Sequence, residues 1–349
     1  MSLGERHPTT ASMITVAVQS ERDQIVDADI TCGFGHRSAE KLFEVRDWQT
    51  MPMLADRHDW WAAFSGELCL TLTIENAMRL TAPERATTLR TLLAELARLH
   101  SHLAFLSYLV DPEDSTLWEL IDRLRMHTLS WSGNRIHPML NRVGGLASDV
   151  PDGWLADLGP ILDEISHLLT QIGIALESSD RFRGLAIIDR ETCLSYGLTG
   201  PISRAAGLNL DVRTNGYLAY GELFTPVPTQ RAGDAHARFQ ILIAEAEAAI
   251  TMVRGAIALA GERQSEVSTR LSRRLKVPEG QHRTELEAPW GLASCFMVSR
   301  GGQTPWRVAL RTPSFANLSA LGSALRGVRS DRLADAIASI GYSVGDADK

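Results

Sequence analysis

Between Pro83 and Val110 the leucines Leu89, Leu92, Leu93, Leu96, Leu99 and Leu103 recur at steps of three and four. That period predicts one long helix with a wide buried face. Pro83 suits its first turn, with Glu84 beside it at the positive end of the helix dipole. Two further stretches have the same character. Trp154–Ser179 carries Leu155, Leu158, Ile161, Leu162, Ile165, Leu168 and Leu169 on one side, and Gly233–Gly261 is dense in alanine. Helices this long bury their stripes most readily against one another, so the expected fold is mainly α, a long-helix bundle. Leu54–Leu80 reads as another amphipathic stretch, and Thr116–Ser132 as a helix following Pro112.

Small β elements flank the bundle. Met13–Val18 and Gln24–Val26 read as a hairpin, and Glu287–Val298 with Trp306–Leu310 as two strands turning through Ser299–Gly302. Gly184–Arg231 is rich in Gly, Pro, Thr and Asn and reads as irregular; Arg263–His282 reads as an exposed polar connection. Short helices at Ser314–Leu325 and Asp331–Ile340 follow. There is no internal repeat. The expected division is an N-terminal hairpin segment, 1–35, and one helical domain, 36–349.

Composition excludes several function classes. The net charge of −7 gives no basis for nucleic-acid binding. No apolar run reaches the roughly 18–20 residues of a membrane span, the longest candidates being Leu103–Val110 and Ala248–Gly261, and Met1–Thr10 lacks the apolar core of a secretory signal. The four cysteines, Cys32, Cys69, Cys193 and Cys295, form no CxxC pair. They are expected to be buried, inert thiols in a reducing cytoplasm, holding no metal of their own. The cations are nearly all arginine, the lysines being Lys41, Lys276 and Lys349; guanidinium is the cation that best tolerates buried, bidentate pairing.

Local motifs are weak singly. Gly33-Phe34-Gly35 lacks the third glycine and strand–helix setting of a dinucleotide loop. His100 and His102, two apart on a helix, face different sides and make poor joint ligands. Ser195 and Thr199 have no neighbouring base. Charge beside glycine and proline recurs at His36-Arg37, Asn134–His137, Arg142–Gly145, Arg181–Gly184, Thr199-Gly200-Pro201 and Asp211–Arg213. These could be solvated loops, or segments meeting in a cleft between helices; residue chemistry alone leaves both open.

Taken together, the segments resemble the quinone-pocket large subunit of respiratory complex I, itself a relative of nickel–iron hydrogenase large subunits. His36–Leu42 resembles HRGTEKL, Asp56–Trp60 resembles DRLDY, and Glu95–Leu103 resembles ELxRIxSHL. Asn134–Gly145 resembles xRMHxxYxRxGG and Tyr196–Arg204 resembles YGxTGPxLR. Asp149–Gly153, Glu287–Gly291 and Arg311–Phe315 resemble DLPxG, EAPKG and RAPSF. The matches run from about Gly4 to Lys349.

The resemblance implies a hydrogenase-type bundle, but the hydrogenase metal's two CxxC pairs would fall near Ala55–Trp60 and Gly345–Lys349, where no cysteine stands. Thiolate is the soft ligand such a centre needs, so nickel chemistry is not expected. The family's N-terminal GPxHPxxHG is met here by Gly4–Ser12: His7 keeps the first histidine, while Ala11 replaces the quinone-facing one. The family's quinone tyrosine falls at Leu54, and Asp111 matches the acid that partners the lost histidine. Alanine and leucine offer no proton to a quinone. Arg37 and His137 match residues that face the iron–sulfur cluster of a neighbouring small subunit. The resemblance therefore implies a peripheral-arm subunit that carries no cofactor itself. It would dock an iron–sulfur small subunit and wall a quinone-type pocket, on the inner face of the cell membrane, with integral-membrane subunits reached through partners. It would be inactive toward NADH or hydrogen alone. The alternatives are a catalytically silent scaffold in such an assembly, or a free-standing enzyme with an unrelated site.

Overall fold

The computed structural model describes residues 14–349. Its frame is five helices: α3 (Ala63–Met78), α4 (Glu84–Leu106), α5 (Thr116–Ser132), α6 (Trp154–Glu177) and α10 (Ala235–Glu262). The most extensive helix–helix contact is α4 on α10. Alanines Ala246, Ala249, Ala256 and Ala260 of α10 are fully buried and permit this close approach. Helix ends follow local chemistry. The Asp234 carboxylate accepts from Ala237 N–H at 2.8 Å to begin α10, and Gly133, at φ 75°, ends α5.

The expected helices at 83–110, 116–132, 154–179 and 233–261 are present with shifted ends. Leu54–Leu80 is not one helix. A single turn, α2 (Pro52–Ala55), stops at Asp56, and the chain restarts at α3 after Asp59, whose carboxylate accepts from Trp61 and Ala62 N–H at 3.2 Å. Short-range capping by the aspartate outweighs the apolar period there.

The hairpin runs longer than expected: β1 (Thr15–Glu21) pairs with β2 (Gln24–Thr31) through Arg22-Asp23, both at positive φ, the geometry that matches strand twist. Ile25 joins the main core and β2 packs on α11 (Pro313–Leu325). A minimal second hairpin joins β3 (Asn141–Arg142) to β4 (Gly145–Leu146). The C-terminal sheet has three antiparallel strands rather than two: β5 (Gly280–Ala288), β6 (Gly291–Ser299) and β7 (Arg307–Arg311), in that order. The outer half of β5 is polar, which masks its strand pattern, while its inner half lies against α3. The 263–282 connection is partly interior, with Val267, Leu275 and Val277 buried. Between the bundle elements lie α1 (Ala39–Glu44), α7 (Arg190–Tyr196), α8 (Gly200–Ala205) and α9 (Tyr220–Leu223), with α12 (Leu333–Ala338) and α13 (Val344–Ala347) ending the order. Three of the four cysteines are buried; Cys32 is partly exposed.

Helix α4 is buried on its polar side as well as its leucine side. Glu95, Arg98 and His102 are fully enclosed with Arg204 of α8, Arg213, Glu245 of α10 and Glu287 of β5, and Asp211, a half-buried residue with its carboxylate covered, joins them. Arg204 spreads its fork over three acceptors: Glu245 at 2.7 Å, Glu287 at 2.9 Å and the Leu210 carbonyl at 2.8 Å. Arg213 bridges Asp211 at 2.7 Å and Glu95 at 3.2 Å, and Tyr220 donates to Glu95 at 2.6 Å. Burial alone would raise the Glu245 carboxyl, but Arg204, His102 and Arg98 outweigh it and hold it well below the usual range. This spine ties the irregular 184–231 region into the bundle and explains charges otherwise readable as surface loops.

Candidate functional site

The break between α2 and α3 places Arg57 and His58 at the edge of a cleft. Arg37 reaches across to it: its Nη2 donates to the Arg57 carbonyl at 2.9 Å. The Arg57 guanidinium lies 3.0 Å from Asp56 and 3.6 Å from the Met139 sulfur. His137 comes to the same point from the other side, Nδ1 3.6 Å from Asp56 Oδ2. Burial depresses the His137 pKa; Arg57 and Arg37 lower it further, against a raising contribution from the Asp56 backbone. The structure therefore brings Arg37 and His137 together with Arg57 between them. Arg57 was not among the expected site residues, although it stands second in the DRLDY-like segment.

The His137 loop is positioned from below. Asn134 Oδ1 accepts from Ile136 and His137 N–H, each at 3.0 Å. Glu67 of α3 accepts from Met139 N–H at 2.6 Å and Asn141 N–H at 3.0 Å. Burial pushes Glu67 up to about 8, with Asp56 adding to the rise against those two N–H groups. Further along α3, Glu75 accepts from Gly144 N–H at 2.7 Å and holds Arg90 bidentately at 2.8 and 2.9 Å. Acids on α3 thus fix the whole Asn134–Gly145 segment.

The cleft itself is open to solvent, with Leu54, Arg57, His58 and Trp60 on one wall and Arg37, Leu42 and Phe43 on another. The C-terminal segment forms its floor. Gly33 and Gly35 N–H both donate to the Asp348 carboxylate at 2.6 Å, and His36 Nδ1–H donates to the Asp348 carbonyl at 2.8 Å. Lys349 donates to the Leu310 carbonyl and lies 3.4 Å from Glu40. The two segments where hydrogenase cysteine pairs would fall pack directly together: a Cβ on Gly345 would come within 2.1 Å of the His58 carbonyl. Backbone fills that space and no thiolate faces it, so the residues present do not fit a nickel–iron centre. The nearby Cys69 thiol is pushed up to about 12, by burial first and Asp346 second.

In that place stands a titratable cluster that no local motif announces. His58 Nε2 lies 3.9 Å from Asp346 Oδ1, and His58 Nδ1 is buried without a hydrogen-bond partner among the described residues. Burial and Asp346 push Asp59 up to about 6. Burial likewise takes Asp346 up to about 6, against hydrogen bonds from Ser314 and the charges of Lys349 and Arg311.

The other expected positions separate. Leu54 lies in the cleft wall. Asp111 does not line the cleft; it is exposed on the loop after α4, its carboxylate accepting from Glu113 N–H at 2.9 Å. Local capping takes its oxygens there. His7 and Ala11 lie outside the described residues. Among the described residues no three His, Cys, Asp or Glu side chains converge as a metal site, and no helix is long and apolar enough to cross a membrane.

Comparison with known proteins agrees along the chain. The family model described as "Respiratory-chain NADH dehydrogenase, 49 Kd subunit" matches residues 116–272 and 261–349. A D-type subunit of the NADH-quinone oxidoreductase of Salinispora tropica is 37% identical, covering 100% of this chain and 92% of the relative. A D-type subunit from Streptomyces coelicolor is 36% identical, with 100% and 94% covered. The corresponding protein of Geobacter sulfurreducens is 30% identical, with 100% and 98% covered. With its bundle, its three-stranded sheet and these relatives, the chain belongs to the family of the 49 kDa subunit of respiratory-chain NADH dehydrogenase, the D-type subunits of NADH-quinone oxidoreductase, or complex I.

Proposed function

We propose that this chain docks an iron–sulfur subunit on the surface formed by Arg37, Arg57 and His137, and that the adjoining cleft walls a quinone-type acceptor site. The convergence of those three side chains on Asp56-Arg57, at the rim of the cleft that Leu54 lines, carries the reading. Two cations and an imidazole side by side suit a neighbour's cluster, whose potential responds to nearby charge. Exposed Phe34, Leu42 and Ile136 supply apolar surface beside them for a partner to cover.

In the assembled complex, Arg57→Leu should lower the midpoint potential of the partner's cluster by tens of millivolts, the scale of a unit charge about 10 Å away at an effective dielectric of about 20. A redox titration followed by electron paramagnetic resonance reads this. An unchanged potential in a normally assembled complex would refute the docking surface. The isolated chain should oxidise neither NADH nor hydrogen.

Leu54 favours a second reading, a scaffold silent toward quinone, because leucine neither donates nor accepts a hydrogen bond. The double substitution Ala11→His with Leu54→Tyr decides between them. Tighter binding of a quinone analogue to the assembled variant supports an acceptor site; unchanged affinity supports the scaffold.

A further inference from the structure

A second, narrower pocket opens to solvent between α4, α5 and the 135–138 segment and shares Trp60 with the cleft. Its walls are aromatic and aliphatic, with Trp61, Leu93, Leu96, Leu124 and Ile136 among them. Of the two guanidinium groups on its wall, Arg125 and Arg135, Arg125 is the more buried. Arg125 Nε donates to His100 Nε2 at 2.9 Å, and its Cζ lies 5.3 Å from the Trp61 ring centroid. That bond fixes the tautomer of His100: Nδ1 carries the proton and donates to the Trp61 carbonyl at 3.3 Å. His100 stacks on Trp61 at 5.5 Å, and burial with Arg125 beside it takes its pKa down to about 3. The imidazole is thus a neutral acceptor that holds Arg125 from behind.

The front of Arg125 is unspent. Among the described residues no carboxylate lies within 4 Å of it and its two terminal nitrogens have no hydrogen-bond partner, although burial already pulls its pKa down. Asp122, the acid whose charge acts on it, sits 3.8 Å from Arg135, a second cation on the cavity wall. A partly buried, pre-oriented guanidinium with no carboxylate in hydrogen-bonding contact is set for bidentate capture of an oxyanion. The apolar walls then ask for a flat or short hydrophobic body.

We infer that this cavity is a binding site for a small amphiphilic carboxylate, its head on the terminal nitrogens of Arg125 and its body against Trp61 and the α4 leucines. This does not depend on the cleft taking a quinone, since its recognition chemistry is separate.

The test is titration of the full chain with 2-naphthoate and, separately, with the neutral 2-naphthalenemethanol, read by calorimetry and by quenching of tryptophan fluorescence. Naphthoate should bind at least tenfold more tightly than the alcohol, the scale of a charge-assisted hydrogen-bond pair. Arg125→Gln should remove that preference, leaving alcohol binding unchanged, and Arg125→Lys should restore part of it. Ala97→Leu, which fills the cavity wall, should weaken both ligands while leaving Arg125 in place. Equal affinity for acid and alcohol, or no naphthoate binding at about 1 mM, would overturn the inference. Binding to the free chain that is lost in the assembled complex would also overturn it, by making a partner's side chain the occupant.

Discussion

Replacing Arg204 by methionine keeps much of the side-chain volume and removes the fork at the centre of the buried spine. Three hydrogen bonds go, to Glu245, Glu287 and the Leu210 carbonyl, along with the charge 3.5 Å from Asp211. Removing one partner from a buried ion pair costs about 3–5 kcal/mol. A stranded glutamate can escape by taking a proton, at about 1.4 kcal/mol per pH unit between its ordinary pKa near 4.3 and pH 7, about 3–4 kcal/mol in all. The two routes agree. With an unfolding entropy of about 2 cal/mol/K per residue, the 349-residue chain should melt roughly 4–7 °C lower. The proton taken up gives a second signature. The stranded carboxyl has a folded pKa above its unfolded one, so folding strength is lost as pH rises through it, and the deficit should be smaller at pH 5 than at pH 8. Arg204→Lys, which reaches one acceptor at a time, should recover less than half. Circular-dichroism melts at both pH values read all of this. A melting point within about 1 °C of the parent at pH 8, or a deficit independent of pH, would refute the account of the spine.

Three smaller predictions concern the cleft and the helices. Asp346 titrates near 6 against an ordinary 3.8, so its contribution to folding is greatest below about pH 4 and is lost as pH climbs through 6. Asp346→Asn should therefore stabilise the chain at pH 8, on the order of 1–3 kcal/mol, and lose most of that advantage by pH 4.5, as measured by urea titration. Gly345→Ala drives a methyl into the His58 carbonyl and the Trp60 ring and should destabilise by about 1–3 kcal/mol in the same titration. Gly173→Ala, inside α6 with nothing within 4 Å of the new Cβ, should stabilise by about 0.5–1 kcal/mol; a loss there would show that local packing around α6 is misdescribed.

The bundle was legible because leucine period is a local quantity, visible in Pro83–Val110 without knowing what lies opposite. The cleft was legible only through resemblance, since Arg37 and His137 lie far apart in the chain and meet through Asp56-Arg57. His58 and Asp346 were invisible for the same reason: each looks like a surface residue until the C-terminal segment folds over the α2–α3 break. Asp59 hid the break itself, because an aspartate between apolar residues reads as the polar face of a helix until its carboxylate turns onto Trp61 and Ala62 N–H. In sequence β5 does not read as a strand because polar residues on its outer half conceal its alternation. The spine was half foreseen, since arginine predominance pointed to interior pairing, but which acids it met depends on contacts such as Glu95 with Arg213, far apart in sequence.

The choice of guanidinium for the interior has a consequence for how the molecule answers acid. Arginine keeps its proton across every physiological condition, and Glu245, held well below its usual range, keeps its charge nearly as firmly. The edge where α2 gives way to α3 behaves oppositely, with Asp56, Asp59 and Asp346 all near 6. A drop from neutral to mildly acidic medium would protonate those carboxylates and leave Arg37, Arg57 and Lys349 as the charges of the cleft, so whatever rests against it would meet a more positive surface.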